Sequence, residues 1–417
     1  EVLPSLTALS LSSDGSPVYL DQTFGAGTKE YTAKIPSTAS ELTVTAIPKG
    51  DYSLTYNGEA SNVVDISEAS ALTVTVSVGE VSSTYTVTLN KVPSYTASVS
   101  ASPSDAAVMI YDAQGAVLAR GLGSASANGV TEAKYVVSKN GYITQTGNIP
   151  DESPVSVTLA KAPEVELPDY TGAWTSFRGN PEHMGITTAK TPASPEEATL
   201  KWAQKYGSGW SAAPTPPLIL NDALYIAVAN KVLKIDKATG ETLQESEALV
   251  GNVGFAMNPI AYGDGMFFVP IGQGRIQALR ADTLESLWVS ENLGRLAQTV
   301  SPLVYHDGYL YTGVWNKESD PGTYFCLSVT DEDPSQKTET KLCTWKFTHT
   351  AGFYWAGAYV TDDYLIVGSD DGLPEGTYEN KAVLFSLDPK TGAVLDRLTE
   401  IKGDIRSSIS YDKDSGR

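Results

Sequence analysis

The sequence predicts an all-β chain, with two N-terminal β-sandwich modules followed by a repeat-built β region, and three observations carry that expectation. Apolar and polar residues alternate with period two through roughly the first 160 residues. No stretch there keeps a helical period. From Trp174 onward one turn-and-strand unit recurs at intervals of about forty residues.

The first module, residues 1–92, rests on Leu42-Thr43-Val44-Thr45, Leu72-Thr73-Val74-Thr75-Val76 and Tyr85-Thr86-Val87-Thr88-Leu89. Each would bury its aliphatic face and leave its threonines in water, as antiparallel strands of a sandwich do. The second, residues 93–163, rests on Met109-Ile110-Tyr111, Tyr135-Val136-Val137 and Val155-Ser156-Val157, with Asn140-Gly141 as a two-residue hairpin turn. Lys161 to Pro168 follows as an extended linker.

The third region, residues 164–417, holds all 7 Trp, all 3 His and both Cys. Its repeat is a tight Asp-containing turn entering an aromatic or aliphatic strand, with Asp222, Asp264, Asp307 and Asp362 separated by 42, 43 and 55 residues. A second turn closes each unit, most clearly at Asp236-Lys237-Ala238-Thr239-Gly240 and Asp388-Pro389-Lys390-Thr391-Gly392. Asp accepts backbone N–H bonds at the start of such a turn, and Gly takes the left-handed position that ends it. Two hairpins every ~40–45 residues is the pattern of four-stranded propeller blades. Polar insertions at Lys317–Thr323 and Asp331–Lys341 account for the long interval. Four blades are complete and a fifth begins at Ser408-Ile409-Ser410-Tyr411-Asp412, so the expectation is an incomplete propeller from a longer protein.

Composition excludes several functions. The 417 residues carry 29 Lys+Arg against 49 Asp+Glu, a net charge of -20. That field repels polyanions, so no nucleic acid partner is expected. The longest apolar run, Ala223 to Ala229, is far short of the ~20 residues of a membrane-spanning helix, so no membrane insertion is expected within this chain. His183, His306 and His349 are too scattered for a zinc cluster. With no hydrophobic stretch opening the chain, the expectation is a secreted or cell-surface protein with its mature N-terminus at or near Glu1, or an engineered chain.

Three resemblances follow from these motifs. Leu3 to Val92 resembles the cadherin-like β-sandwiches of bacterial surface proteins, through Leu6-Thr7-Ala8-Leu9-Ser10-Leu11, Phe24, Tyr31-Thr32-Ala33-Lys34-Ile35-Pro36 and the closing Tyr85 strand. That implies Phe24, Tyr31 and Tyr85 as core plugs; without the acidic clusters of true cadherins, no calcium site is expected. Pro93 to Pro163 is similar to small PEGA-type or carboxypeptidase-regulatory-like β modules. Trp174 to Gly185, with the Asp-x-x-Thr-Gly turns at Asp236 and Asp388, resembles the PQQ-like propeller family over about 240 residues.

In the quinoprotein dehydrogenases of that family, the quinone stacks between a Trp and a ring of adjacent disulfide-bonded cysteines, and calcium polarises it. Here Cys326 and Cys343 lie 17 residues apart. A blade-locking Trp is found once, at Trp288, while Gln244 and Asp396 stand near the matching positions. The expectation is therefore no cofactor, neither PQQ nor calcium, and no enzymatic activity. Cys326 and Cys343 are either a cross-strand disulfide or two buried thiols. The acids Asp331-Glu332-Asp333 and Asp370-Asp371 read as solvated loop residues.

What remains is a binding, adhesion or scaffolding protein of a bacterial surface, with an unidentified surface glycan or protein as partner. Propellers present ligand surfaces where their inner strands begin. The candidates there are Trp210, Phe255, Arg295, Tyr354 and Trp355, which would either stack on a ligand or plug the axis. The alternatives are a propeller enzyme, quinone-dependent or lyase-like, completed by residues beyond Arg417, and a periplasmic assembly scaffold.

Overall fold

A computed structural model describes residues 3–172, 174–207, 209, 213–253, 258–294 and 301–416. Among them the chain is all-β, with helical turns only at Phe177–Gly179 and Pro195–Glu197. No helix among the described residues is long and apolar enough to cross a membrane.

The first module is a sandwich of two four-stranded sheets. One orders Ser16–Val18, Leu6–Ser13, Glu41–Pro48 and Val63–Asp65; the other orders Glu30–Pro36, Val81–Val92, Ala71–Val78 and Ser53–Tyr56. The period-two pattern does the sorting. Leu72, Val74, Val76, Tyr85 and Val87 are fully buried, and the intervening threonines lie toward solvent. Phe24 stacks on Tyr31 and meets the Tyr85 ring at a tilt, both at 5.7 Å. The Tyr85 hydroxyl donates to the Ala26 carbonyl and accepts the Leu6 N–H, so a buried phenol keeps both partners.

The second module pairs a sheet of Val117–Leu122, Ala107–Tyr111, Ala133–Ser138 and Gln145–Ile149 with one of Ser124–Val130, Tyr95–Ser102 and Val155–Thr158. Asn140-Gly141 does not make a two-residue hairpin here. Ala133–Ser138 and Gln145–Ile149 are joined by six residues, and the Asn140 side chain reaches away to accept from the Thr330 and Ser328 hydroxyls of the repeat region. The Asn140 N–H donates to the Tyr309 hydroxyl. Glu332 of the repeat region accepts from the N–H and hydroxyl of Thr144, and its other contact is the buried Lys341. Met109 and Tyr111 share a hydrophobic core with Tyr311, Trp345 and Phe385. This module is seated on the propeller, and it is not a free link of an extended stalk.

Four antiparallel sheets form the propeller blades. The first orders Leu218–Leu220, Ala223–Val228, Lys231–Asp236 and Thr242–Glu245. The second orders Ala261–Gly263, Met266–Ile271, Arg275–Arg280 and Ser286–Ser290, with Glu339–Lys341 added in parallel at its edge. The third orders Val304–His306, Tyr309–Gly313, Gly322–Ser328 and Trp345–His349; the fourth orders Tyr359–Val360, Leu365–Gly368, Asn380–Leu387 and Val394–Lys402. First strands of successive blades from the second to the fourth touch one another, whereas Thr242–Glu245 and Val394–Lys402 are largely exposed. The first strands are therefore the inner ones.

The repeated turns explain the local fold. Asn221-Asp222, Asp264-Gly265 and Asp307-Gly308 have positive φ at both positions, the conformation whose twist suits a two-residue hairpin. At the second turn, Asp236 Oδ1 accepts the Ala238 and Thr239 N–H groups, and Gly240 closes it at φ +76°. A Cβ on Gly240 would stand 2.6 Å from the Trp202 ring, and one on Gly392 would stand 2.4 Å from Trp345. Both indoles donate across to these turns, Trp202 to the Lys237 carbonyl (3.0 Å) and Trp345 to that of Pro389 (2.8 Å). Trp288 does the same to Val329 at 3.2 Å, and the Gln244 amide to Thr283 at 2.7 Å. Blade locking is thus carried by three tryptophans and a glutamine, where the sequence reading found Trp288 alone. After the fourth blade, residues 408–411 form no strand. They lie against Gly357 and Glu182, with the Ile409 carbonyl on His183 Nδ1.

Candidate functional site

Strands within a blade alternate direction, so 314–321, 350–358, 369–379 and 403–408 all emerge on one face, where the inner strands begin. These four segments bring together Trp315 and Glu318, Tyr354 and Trp355, Asp370, and Asp404 with Arg406. Tyr354 stacks on Trp315 at 4.4 Å and on Trp355 at 4.2 Å, both within 21° of parallel. Gly352 makes room for this: a Cβ there would meet the Trp315 ring at 2.7 Å. The Arg406 guanidinium lies 4.7 Å over the Tyr354 ring, a cation–π geometry. Trp355 takes φ +61°, a left-handed backbone that costs a non-glycine residue of the order of 1 kcal/mol or more.

Arg406 is gripped by three carboxylates. Its Nη2 lies 2.5 Å from Glu318, 2.8 Å from Asp370 and 3.1 Å from Asp404, and its Nε donates to Asp370 at 3.2 Å. The Asp370 side chain has 0% exposure. Burial pushes its pKa up to about 7; the hydrogen bonds and charge of Arg406 pull it down, and Asp404 and Glu318 push it up again. The same carboxylates raise Arg406, which stays charged. A fully buried acid poised near neutrality beside a fixed cation can take up or release a proton at physiological pH.

Of the expected ligand-surface residues, Tyr354 and Trp355 stand at this site; Trp210, Phe255 and Arg295 lie outside the described residues. Asp370 and Asp371 read as solvated loop acids in the sequence, but both are buried, as is Asp331, since they follow strands directly and are covered by neighbouring loops. Glu318, Asp404 and Arg406 had no motif to announce them. They come from two segments, 314–321 and 403–408, of successive blades, and only the repeat topology brings them together.

Cys326 and Cys343 are both free and buried. The strand that pairs with Gly322–Ser328 starts two residues after Cys343, so Cys326 faces Trp345, and of the two alternatives the structure has buried thiols. A second depression, of about 80 Å³, lies on the opposite face between the second module and the propeller. It is bordered by Asp105, His306, Asp307 and Asp362, with His306 Nε2 2.7 Å from Asp362. Its acids are mostly exposed, and it is remote in the fold from the Asp370 cluster.

Comparison with protein families returned no match, and neither did comparison with curated proteins. Among solved structures, the chain is similar to a quinohemoprotein alcohol dehydrogenase from Comamonas testosteroni, at 15% identity and a TM-score of 0.43, covering 55% of this chain and 41% of that one. It is also similar to a europium-containing methanol dehydrogenase, at 13% identity and a TM-score of 0.41, covering 56% and 49%. A quinohemoprotein alcohol dehydrogenase from Pseudomonas putida matches at 13% identity and 0.43, covering 56% and 41%. The chain spans less than half the length of these proteins, and likeness at this level speaks to the fold alone.

Against the expectation of a non-catalytic adhesion module without a cofactor, the solved structures found similar are dehydrogenases. The calcium that the propeller resemblance implies finds its donor type here, but at a position that Arg406 Nη2 already fills. Among the described residues, Glu318, Asp370 and Asp404 place carboxylate oxygens within 4.8 Å of one another, the donor type a hard cation takes. The quinone's cysteine ring does not fit. Cys326 and Cys343 are buried in separate hydrophobic clusters of the third blade region.

Proposed function

We propose that this propeller is part of an enzyme that moves a proton at Asp370, acting on a hydroxyl-bearing substrate bound at the face formed by Trp315, Tyr354 and Trp355. The observation that carries the reading is the buried Asp370 carboxyl, held by Arg406 and poised at about 7. Near neutral pH a large share of Asp370 is ionised and accepts a hydroxyl proton; Arg406 fixes the carboxylate by two hydrogen bonds and offsets its charge. The aromatic shelf orients the substrate and keeps water from its covered side. No step is drawn through a quinone.

The solved structures found similar are alcohol and methanol dehydrogenases, so alcohol oxidation is the first reaction class to test. Dye-linked oxidation of primary alcohols should be measured across pH 5–9 with wild type and Asp370→Asn, with calcium and PQQ each added and omitted. The reading expects a rate that rises through an apparent pKa near 7 and falls by ~10²–10⁴-fold in the variant. An unchanged rate in Asp370→Asn rules it out. With the sandwich modules in place, the reading is of an extracytoplasmic bacterial enzyme whose residues 1–92 form a cadherin-like module and residues 93–163 a PEGA-like one. Its net charge of -20 argues against polyanionic partners.

A further inference from the structure

The charge balance around Asp370 points to the kind of substrate. Three carboxylates share one guanidinium, so when all are ionised the cluster holds two surplus negative charges. A fourth acid adjoins it. Asp371 is 7% exposed, its N–H donates to Asp404 Oδ1 at 3.0 Å, and its Oδ2 has no hydrogen-bond partner. Beside these acids stand the ring of Tyr354, already under a guanidinium at 4.7 Å, and the rings of Trp315 and Trp355 stacked against it. Aromatic faces next to carboxylates attract cations through the ring quadrupole and the formal charge together. A neutral polyol would leave the surplus charge unmatched in a partly desolvated site.

We propose that this face takes a substrate bearing an ammonium or guanidinium group, whose charge is shared by Glu318, Asp404 and the aromatic stack beside Arg406. Arg406 shows the seat: a planar cation on Tyr354 with its N–H groups on carboxylates. The inference rests on the reading of Asp370 as the proton-transfer group, and adds that the molecule presenting its hydroxyl is cationic.

The test uses the intrinsic fluorescence of the full chain, titrated with choline, ethanolamine and agmatine, and with 3,3-dimethylbutan-1-ol as the neutral isostere of choline. The expected result is saturable quenching by the cations, with the isostere at least about tenfold weaker. Asp404→Asn should weaken the cations about tenfold while the isostere is unaffected. Equal binding of choline and its neutral isostere overturns the inference, as does the absence of saturable quenching by any cation. Calcium that binds alone and is not competed by the amines also overturns it, by assigning the carboxylates to a hard cation. The two proposals fail separately. Amine binding with a turnover indifferent to Asp370→Asn sinks proton transfer and leaves the cation seat standing. Asp370-dependent turnover of neutral alcohols without amine binding sinks the cation seat alone.

Discussion

Replacing Asp370 with Asn should change how the propeller's stability depends on pH, and the structure gives both sign and scale. In the unfolded chain this carboxyl titrates near 3.8; in the folded chain burial holds it up to about 7 despite the Arg406 pair. A raised carboxyl favours folding while protonated. Its contribution is complete below about 3.8 and is lost as pH rises through about 7. A shift of roughly three units at ~1.36 kcal/mol each sets a ceiling of about 4 kcal/mol on the cost of ionising Asp370 in place. Asn keeps the volume and never pays that cost, and Arg406 keeps Glu318 and Asp404.

Relative to wild type, Asp370→Asn should therefore gain up to about 4 kcal/mol between pH 4 and pH 8. Urea unfolding followed by tryptophan fluorescence measures it cleanly, because all 7 Trp lie at or after Trp174 and report the propeller region. The difference between the two proteins cancels every other titrating group. A difference that is flat from pH 4 to 8, or that favours wild type as pH rises, would mean that Arg406 outweighs desolvation. Asp370 would then be an ordinary ionised partner, and its assignment as a proton-transfer group would lose its physical basis.

Three further outcomes are expected. Gly392→Ala meets the Trp345 ring at 2.4 Å as well as the strain of φ +69°, so it should destabilise by clearly more than the ~1 kcal/mol of strain alone; Gly58→Ala, at φ +88° with nothing within 4 Å, is the strain-only control, and equal losses would refute the blade lock. Burial pushes both the Cys326 and Cys343 thiols up, so neither should react with a thiol reagent at pH 8 until urea unfolds the chain, when two equivalents should appear; fast native labelling would contradict their packing. Asp331 is 6% exposed, has an unpartnered Oδ1, and is raised to about 6 by burial and by Glu339. Asp331→Asn should gain up to about 3 kcal/mol over wild type as pH rises from 4 to 7, and a pH-independent difference would show that Lys341 already neutralises it.

Why some of this was legible in the sequence and some was not follows from the range of the interactions. The Asp-Gly turns and the period-two strands are local, because a positive-φ pair or an alternating face is decided within a few residues. The blade locks are not local: Trp202, Trp288 and Trp345 bond carbonyls 35, 41 and 44 residues on, and Trp202 and Trp345 are marked only by the glycines they cover, Gly240 and Gly392. Asn140-Gly141 was a correct turn signal put to a different use. Its glycine does take φ +81°, but the asparagine answers to Ser328 and Thr330 nearly two hundred residues away.

The candidate site is the extreme case of that range effect. Glu318 sits in what reads as a polar insertion, Asp370 in what reads as a solvated acid pair, and Arg406 after an exposed outer strand. Nothing in the spacing of 318, 370, 404 and 406 resembles a motif, because the third blade contributes one segment and the fourth two, and the chain between them is occupied with building strands. The sequence named Tyr354 and Trp355 from their place before an inner strand, and both stand on the face where Trp315, Asp370 and Arg406 gather. It mistook their partners because charge is read from sequence as solvation. On a propeller face, a loop acid that follows a buried strand such as Leu365–Gly368 is carried inward with it. Neutrality must then come from a cation such as Arg406 or from protonation, and Asp370 draws on both.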